Sequence, residues 1–153
     1  MTDERMLKII EESTATISEG GDTINARVKL SKFKVDADKR ELLAEYDVQP
    51  WALNPAGTLH GGIISSALDI SMACVLYPFA GGFVPTIELT VVFHRPVSLG
   101  ETLEIQARIV ESGSTIAHAE ARARIRRTGK LVASAKGIYS MKTWTSYLDG
   151  GGS

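Results

Sequence analysis

From Val48 to Ile87 the chain carries one formally charged residue, Asp69, and one histidine, His60. Within that stretch, Gly62 to Tyr77 is apolar or small on nearly every helical face. A helix of that kind has to be buried all round, so the rest of the chain must be built to cover it. Length alone leaves a membrane open, because Ile63 to Val84 approaches the roughly 20 residues that span a bilayer. The segment, however, contains Asp69, three serines, Pro78 and the Gly81-Gly82 pair, with no basic flanks. The expected cover is therefore protein, with no membrane partner.

The covering material is legible as strands. Ile87, Leu89, Val91 and Phe93 alternate with Glu88, Thr90, Val92 and His94 between Thr86 and Arg95. Leu103, Ile105, Ala107 and Ile109 alternate with Thr102, Glu104, Gln106 and Arg108. Strictest of all is IAHAEARARIRR, where Ala117, Ala119, Ala121, Ala123 and Ile125 share one face. Thr128-Gly129 then turns into a last strand, Leu131 to Met141. Period-two alternation with one polar face marks an antiparallel sheet wet on one side. Upstream, Asp3 to Glu12 reads as a short amphipathic helix carrying Met6, Leu7, Ile9 and Ile10, closed off by Gly20-Gly21-Asp22. INARVKLSKFKV and ELLAEYDV, joined by a turn at Asp36 to Lys39, read as a two-stranded hairpin. The economical architecture is α+β, one long helix embraced by a curved antiparallel sheet, with alanines that let the helix sit close. A single sheet cannot enclose a helix completely. The uncovered helix surface and a sheet edge are expected to meet a second copy of the chain.

Bulk properties narrow the partners. The 153 residues suit one domain, taken as 1–146, with 147–153 ending in GGGS read as a tail and linker scar. Charged residues at 23% and a net charge of −1 exclude a disordered chain and a general polyanion binder. Arg122, Arg124, Arg126, Arg127 and Lys130 form a basic group, but acids balance it and no aromatics interleave it, so nucleic acid is not expected. The single Cys74 excludes an intrachain disulfide and a cysteine-cluster metal site. No metal ligand set is present and no cofactor is expected. The charged N-terminal segment MTDERMLKIIEES does not read as a secretory signal, and the expected location is cytoplasmic.

The residues NPAGTLHGGIISSALD, followed by the strand TIELTVVFHRPVSLGE, carry a specific resemblance. Asn54, Gly57, His60-Gly61-Gly62 and Asp69, with the RPxxxGE turn and the final alternating strands, resemble hotdog-fold acyl-CoA thioesterases of the PaaI and thioesterase-superfamily-member type. The similarity covers about residues 45 to 141. It implies hydrolysis of an acyl-CoA thioester at a site shared by two protomers of a homodimer or a homotetramer (a dimer of dimers). By the same resemblance Asp69 is the helix acid, general base or nucleophile, and the Gly61 N–H polarises the thioester carbonyl. Asn54 and His60 line the reacting centre, and Thr86 falls where a Ser or Thr helps hold the water.

The residues support that chemistry in part without the family. Backbone N–H groups at a helix N-terminus are unpaired and carry about half a positive charge. Gly61 and Gly62 let a ligand approach closely, and such a donor is worth on the order of 3 kcal/mol in other enzymes. Asp69 lies about 12 Å along the helix from Gly61 at ~1.5 Å per residue. That spacing favours Gly61 of one protomer acting with Asp69 of the other. Read alone, Asp69 also fits a helix-packing hydrogen-bonding residue, Asn54 before Pro55 a turn former, His60 a residue that orients backbone, and Thr86 an ordinary strand residue. Trp51, Leu53 and Met72, with Tyr77, Phe79 and Phe83, are candidates for an aryl or alkyl pocket. Arg95 and Arg124 are candidates for CoA, together with Gly62 beside the substrate. Two other readings compete: a hydratase or dehydratase using His60 and Asp69 for proton transfer, and a non-catalytic acyl-CoA-binding module.

Overall fold

The structure, a computed structural model, describes residues 1–142, so the proposed tail at 147–153 lies outside the described residues. Its centre is helix α3, Gly61–Ala80, which buries Ala67, Leu68, Ile70, Met72, Cys74 and Leu76 on successive faces. The helix outruns the expected 62–77 and carries Pro78 inside its last turn. It ends at Gly81, whose φ of +76° closes the last turn with an N–H bond of 3.0 Å to the Tyr77 carbonyl. By length and composition α3 could cross a membrane, with a mean hydropathy of 1.6. Here it is packed under protein on most of its surface.

The cover is one six-stranded sheet: β1 (Ser31–Asp36), β2 (Glu41–Asp47), β3 (Thr86–Phe93), β4 (Thr102–Ser112), β5 (Ile116–Ile125) and β6 (Leu131–Ser140). The spatial order is β1-β2-β4-β5-β6-β3, antiparallel at every pair. The inward alanines of β5, Ala117 to Ala123, are at most 2% exposed, and their small size leaves room for the helix against the strand. Helix α1 closes another side, burying Met6 and Ile10 completely. Together these give the expected α+β layout of a long helix wrapped by an antiparallel sheet.

Two local expectations are corrected. Helix α1 runs Asp3–Glu19, well past Glu12. Thr14 and Thr16 bond back to the carbonyls of Ile10 (2.6 Å) and Glu12 (2.9 Å), so their hydroxyls are satisfied inside the helix rather than ending it. The first half of INARVKLSKFKV is not strand: Ile24–Arg27 forms a single helical turn, α2, because the Thr23 hydroxyl caps the Ala26 N–H at 3.2 Å.

The sheet edge at β3 is the most exposed apolar part of the described surface. Ile87, Val92 and Phe93 are each more than half exposed on this strand. Its pairing with β6 skips one residue between Thr86 and Glu88, a β-bulge at Ile87.

Candidate active site

The site residues named from the sequence fall into two clusters at opposite ends of β3. The first is the N-terminus of α3. His60 caps the helix with its side chain, Nδ1 accepting from the Gly62 N–H at 2.8 Å. A Cβ on residue 62 would lie 3.0 Å from that same Nδ1, so Gly62 keeps the cap in place. The carbonyl of His60 takes the N–H groups of Ile63 and Ile64. What is left over is the N–H of Gly61, which has no hydrogen-bond partner among the described residues. Backbone approach to Gly61 is bounded by the Phe93 ring, 3.4 Å from where a Cβ would stand.

Asn54 builds the loop that leads to this cap. Its Oδ1 accepts from the N–H groups of Ala56 (3.0 Å) and Thr58 (3.1 Å), and its Nδ2 donates to the Thr58 hydroxyl at 2.9 Å. The structure thus gives Asn54 the turn-forming work, and its amide is held by its own loop rather than pointed free toward Gly61.

The second cluster surrounds Asp69, a half-buried residue in mid-helix. Its Oδ1 accepts two hydroxyl bonds, from Thr86 at 2.9 Å and from Tyr139 at 2.8 Å. Its Oδ2 has no partner among the described residues. Thr86 reaches Asp69 only because of the bulge. Strict alternation from Leu89 would send Thr86 to the outer face with Glu88, whereas the extra residue at Ile87 turns it inward opposite Tyr139. In this protomer Thr86 therefore holds the carboxylate directly. Tyr139 is fully buried, and burial, reinforced by the Asp69 charge, pushes its phenol far above the ordinary range. It stays protonated and is a permanent donor. Burial does the same to Tyr77, and it pushes the Cys74 thiol up to about 12.

Several sequence-selected residues do not join either cluster. Met72 is completely buried in the core. Trp51 is 41% exposed in the 3₁₀ turn Pro50–Ala52, with the Arg27 guanidinium 5.7 Å from its ring centre. Leu53 is half-buried and bridges to Leu59 in the entrance loop. Phe83 lies beyond the C-terminus of α3, 42% exposed, with its ring centre 6.4 Å from that of Tyr77. Of the basic candidates, Arg95 donates to the Leu131 carbonyl at 2.6 Å and Arg124 to the Gly129 carbonyl at 3.1 Å. Arg126 and Arg127 are ion-paired to Glu45 and Glu101.

Two residues of the Asp69 cluster were not selected from the sequence, Tyr139 and the glycine beneath its ring, Gly137. A signal existed: a glycine inside a strand marks a close approach, and Tyr139 follows it two residues later on the same face. Among the described residues, no group of three or more His, Cys, Asp or Glu side chains stands where it could hold a metal ion.

Comparison with known proteins shows the family. The sequence model of the thioesterase superfamily matches residues 56–132, from the loop before His60 into β6. A Caenorhabditis elegans protein provisionally named as an esterase is 34% identical over 122 residues, covering 79% of this chain and 71% of the relative. Mouse acyl-coenzyme A thioesterase 13 is 30% identical over 103 residues, covering 67% of this chain and 74% of the relative. In three dimensions the chain is similar to the PaaI protein of the Escherichia coli phenylacetic acid degradation operon. That match has a TM-score of 0.72 at 19% identity and covers 87% of this chain and 93% of the other. The fold is thus the hotdog fold that the sequence resemblance implied. With that family model over half of its length and these relatives, the chain belongs to the thioesterase superfamily, as a thioester hydrolase.

Proposed function

We propose that the protein hydrolyses an aryl- or medium-chain acyl-CoA thioester to the free acid and CoA, in a homodimer whose two protomers share each site. The observation that carries this reading is that a helix-terminal N–H, at Gly61, and a carboxylate oxygen, at Asp69, both find no partner among the described residues. The Gly61 N–H, reinforced by the helix dipole, polarises the thioester carbonyl. Asp69 Oδ2 takes a proton from the attacking water, whose oxygen bonds to the carbonyl carbon. Collapse of the tetrahedral intermediate breaks the C–S bond and expels the thiolate, which leaves readily and takes up the proton.

The two groups lie too far apart on one helix to act on one carbonyl, and β3 supplies the remedy. Gly61 sits against Phe93 at one end of that strand, and Asp69 is bonded to Thr86 at the other. Antiparallel pairing of β3 with its copy about a two-fold axis brings the Phe93 end of one chain to the Thr86 end of the next. Each Gly61 then meets the partner's carboxylate. The exposed apolar side chains of this edge strand support the same pairing, since such edges are normally covered. The acyl-CoA substrate follows from the name of the mouse relative and is a proposal for this chain.

The test is a panel of aryl- and alkyl-CoA esters with free thiol release measured for wild type and Asp69→Asn. Thiol release by the wild type that vanishes in Asp69→Asn supports the reading. Full activity in Asp69→Asn against the preferred ester contradicts it, and hydration of an enoyl-CoA without thiol release would favour the hydratase reading.

A further inference from the structure

We propose that Tyr139 is a positioning residue that fixes the Asp69 carboxylate by its Oδ1, leaving Oδ2 alone to meet the reacting groups, and that residue 137 is glycine to make this possible. The inference rests on the reading of Asp69 as the reacting acid.

Residues 137 and 139 lie two apart on the inner face of β6, opposite Leu89 and Thr86 of β3. The Tyr139 ring folds back along its own strand. A Cβ on residue 137 would stand 2.5 Å from the ring Cε2 and 2.9 Å from the phenolic oxygen. No side chain fits there, so the ring keeps this pose only over a glycine. From that pose the phenol donates to Asp69 Oδ1 at 2.8 Å and lies 3.3 Å from the Asp69 carbonyl, across 70 residues of sequence. Thr86, directly across the β3–β6 ladder from Tyr139, supplies the second donor to the same oxygen.

A carboxylate is nearly two-fold symmetric about its last torsion, so an unanchored Asp69 would exchange its two oxygens freely. Two donors on Oδ1 remove that exchange and set the direction of Oδ2. The two donors differ in kind. Thr86 is exposed at the open edge, whereas Tyr139 is fully buried and its position is fixed by packing. Tyr139 is the part of the clamp that does not depend on what covers the edge.

The experiment compares Tyr139→Phe, Gly137→Ala and Tyr139→Leu with wild type and Asp69→Asn, on whichever CoA ester the panel selects. Tyr139→Phe keeps the ring and loses the donor. It is expected to lower kcat by about 10- to 100-fold with KM within about two-fold of wild type, the signature of a misdirected reacting group. Gly137→Ala keeps the phenol but displaces the ring, and should lower kcat in the same way. Thr86→Val combined with Tyr139→Phe should fall toward the level of Asp69→Asn. Wild-type kcat in Tyr139→Phe with a loss only in Tyr139→Leu would mean that the ring merely packs, and would overturn the proposal. So would a rise in KM with kcat unchanged. If Asp69→Asn itself stays active, the underlying reading fails. If Asp69→Asn is dead while Tyr139→Phe is not, this proposal alone fails.

Discussion

The two ends of the motif on α3 are assembled in different ways. At the Gly61 end the side-chain bonds are short in sequence: His60 caps Gly62, and Asn54 folds the loop up to Thr58. From elsewhere come the Phe93 ring and a backbone tie, the Leu59 N–H donating to the Val97 carbonyl at 2.8 Å. At the Asp69 end, both partners of the carboxylate come from other elements, 17 and 70 residues away. One end is a backbone device that forms with the helix. The other exists only when β3, β6 and α3 are all in register. The difference teaches where each end is fragile: the first to changes in its own loop, the second to anything that shifts the sheet.

That contrast can be broken in order of expected effect. Asp69→Asn keeps the size of the side chain and removes its charge. It should lower kcat by about 10²- to 10⁴-fold, the range for loss of a general base, with thiol release as the readout. Gly61→Pro removes the free N–H at a helix position where proline is tolerated. It should cost about 10²- to 10³-fold in kcat while far-UV circular dichroism stays unchanged. Asn54→Ala removes three hydrogen bonds from the entrance loop. It should lower stability by about 1–3 kcal/mol in urea unfolding, with kcat less affected than in the first two variants. A large fall in kcat at unchanged stability would instead show Asn54 acting at the reacting centre.

The smallest effect concerns pH. Burial raises the folded-state pKa values of Cys74, Tyr77 and Tyr139 above their ordinary ones. Their contribution is therefore complete below about pH 8, where both folded and unfolded chains keep these protons, the unfolded cysteine being the first to lose its own. Above that the unfolded chain loses them first, and stability falls as pH climbs toward the folded-state values. The melting temperature should drop progressively between about pH 8 and pH 11, and a flat profile there would contradict the burial of these groups.

Legibility from sequence follows the same local-versus-distant divide. The buried helix, the alternating strands and the glycine-rich helix start are written in neighbouring residues, and the structure contains all three. Thr86 is different. Its alternation pattern assigns it to the outer face, and only a single-residue bulge at Ile87 turns it to Asp69. Such a bulge depends on which residues of β6 lie opposite, which the strand's own pattern does not encode. Tyr139 is hard to select because its partner lies 70 residues away, although the glycine before it on the same face is a usable sign. Arg95 and Arg124 stood out by charge, but their first partners are backbone carbonyls fixed by strand ends. The α2 turn reads as strand in the sequence despite a visible threonine cap, because a single helical turn leaves too short a period to compete with the strand pattern that follows.

The central claim is that Gly61 and Asp69 act together across two protomers. Mixing Asp69→Asn and Gly61→Pro chains, unfolding them together and refolding them tests it directly. With random pairing, half the dimers contain one chain of each kind, and each of these has one site with both groups intact. The account predicts recovery of about one quarter of wild-type activity from two inactive parents. No recovery, in a mixture shown to contain mixed dimers, would place both groups in a single protomer's site and contradict the account.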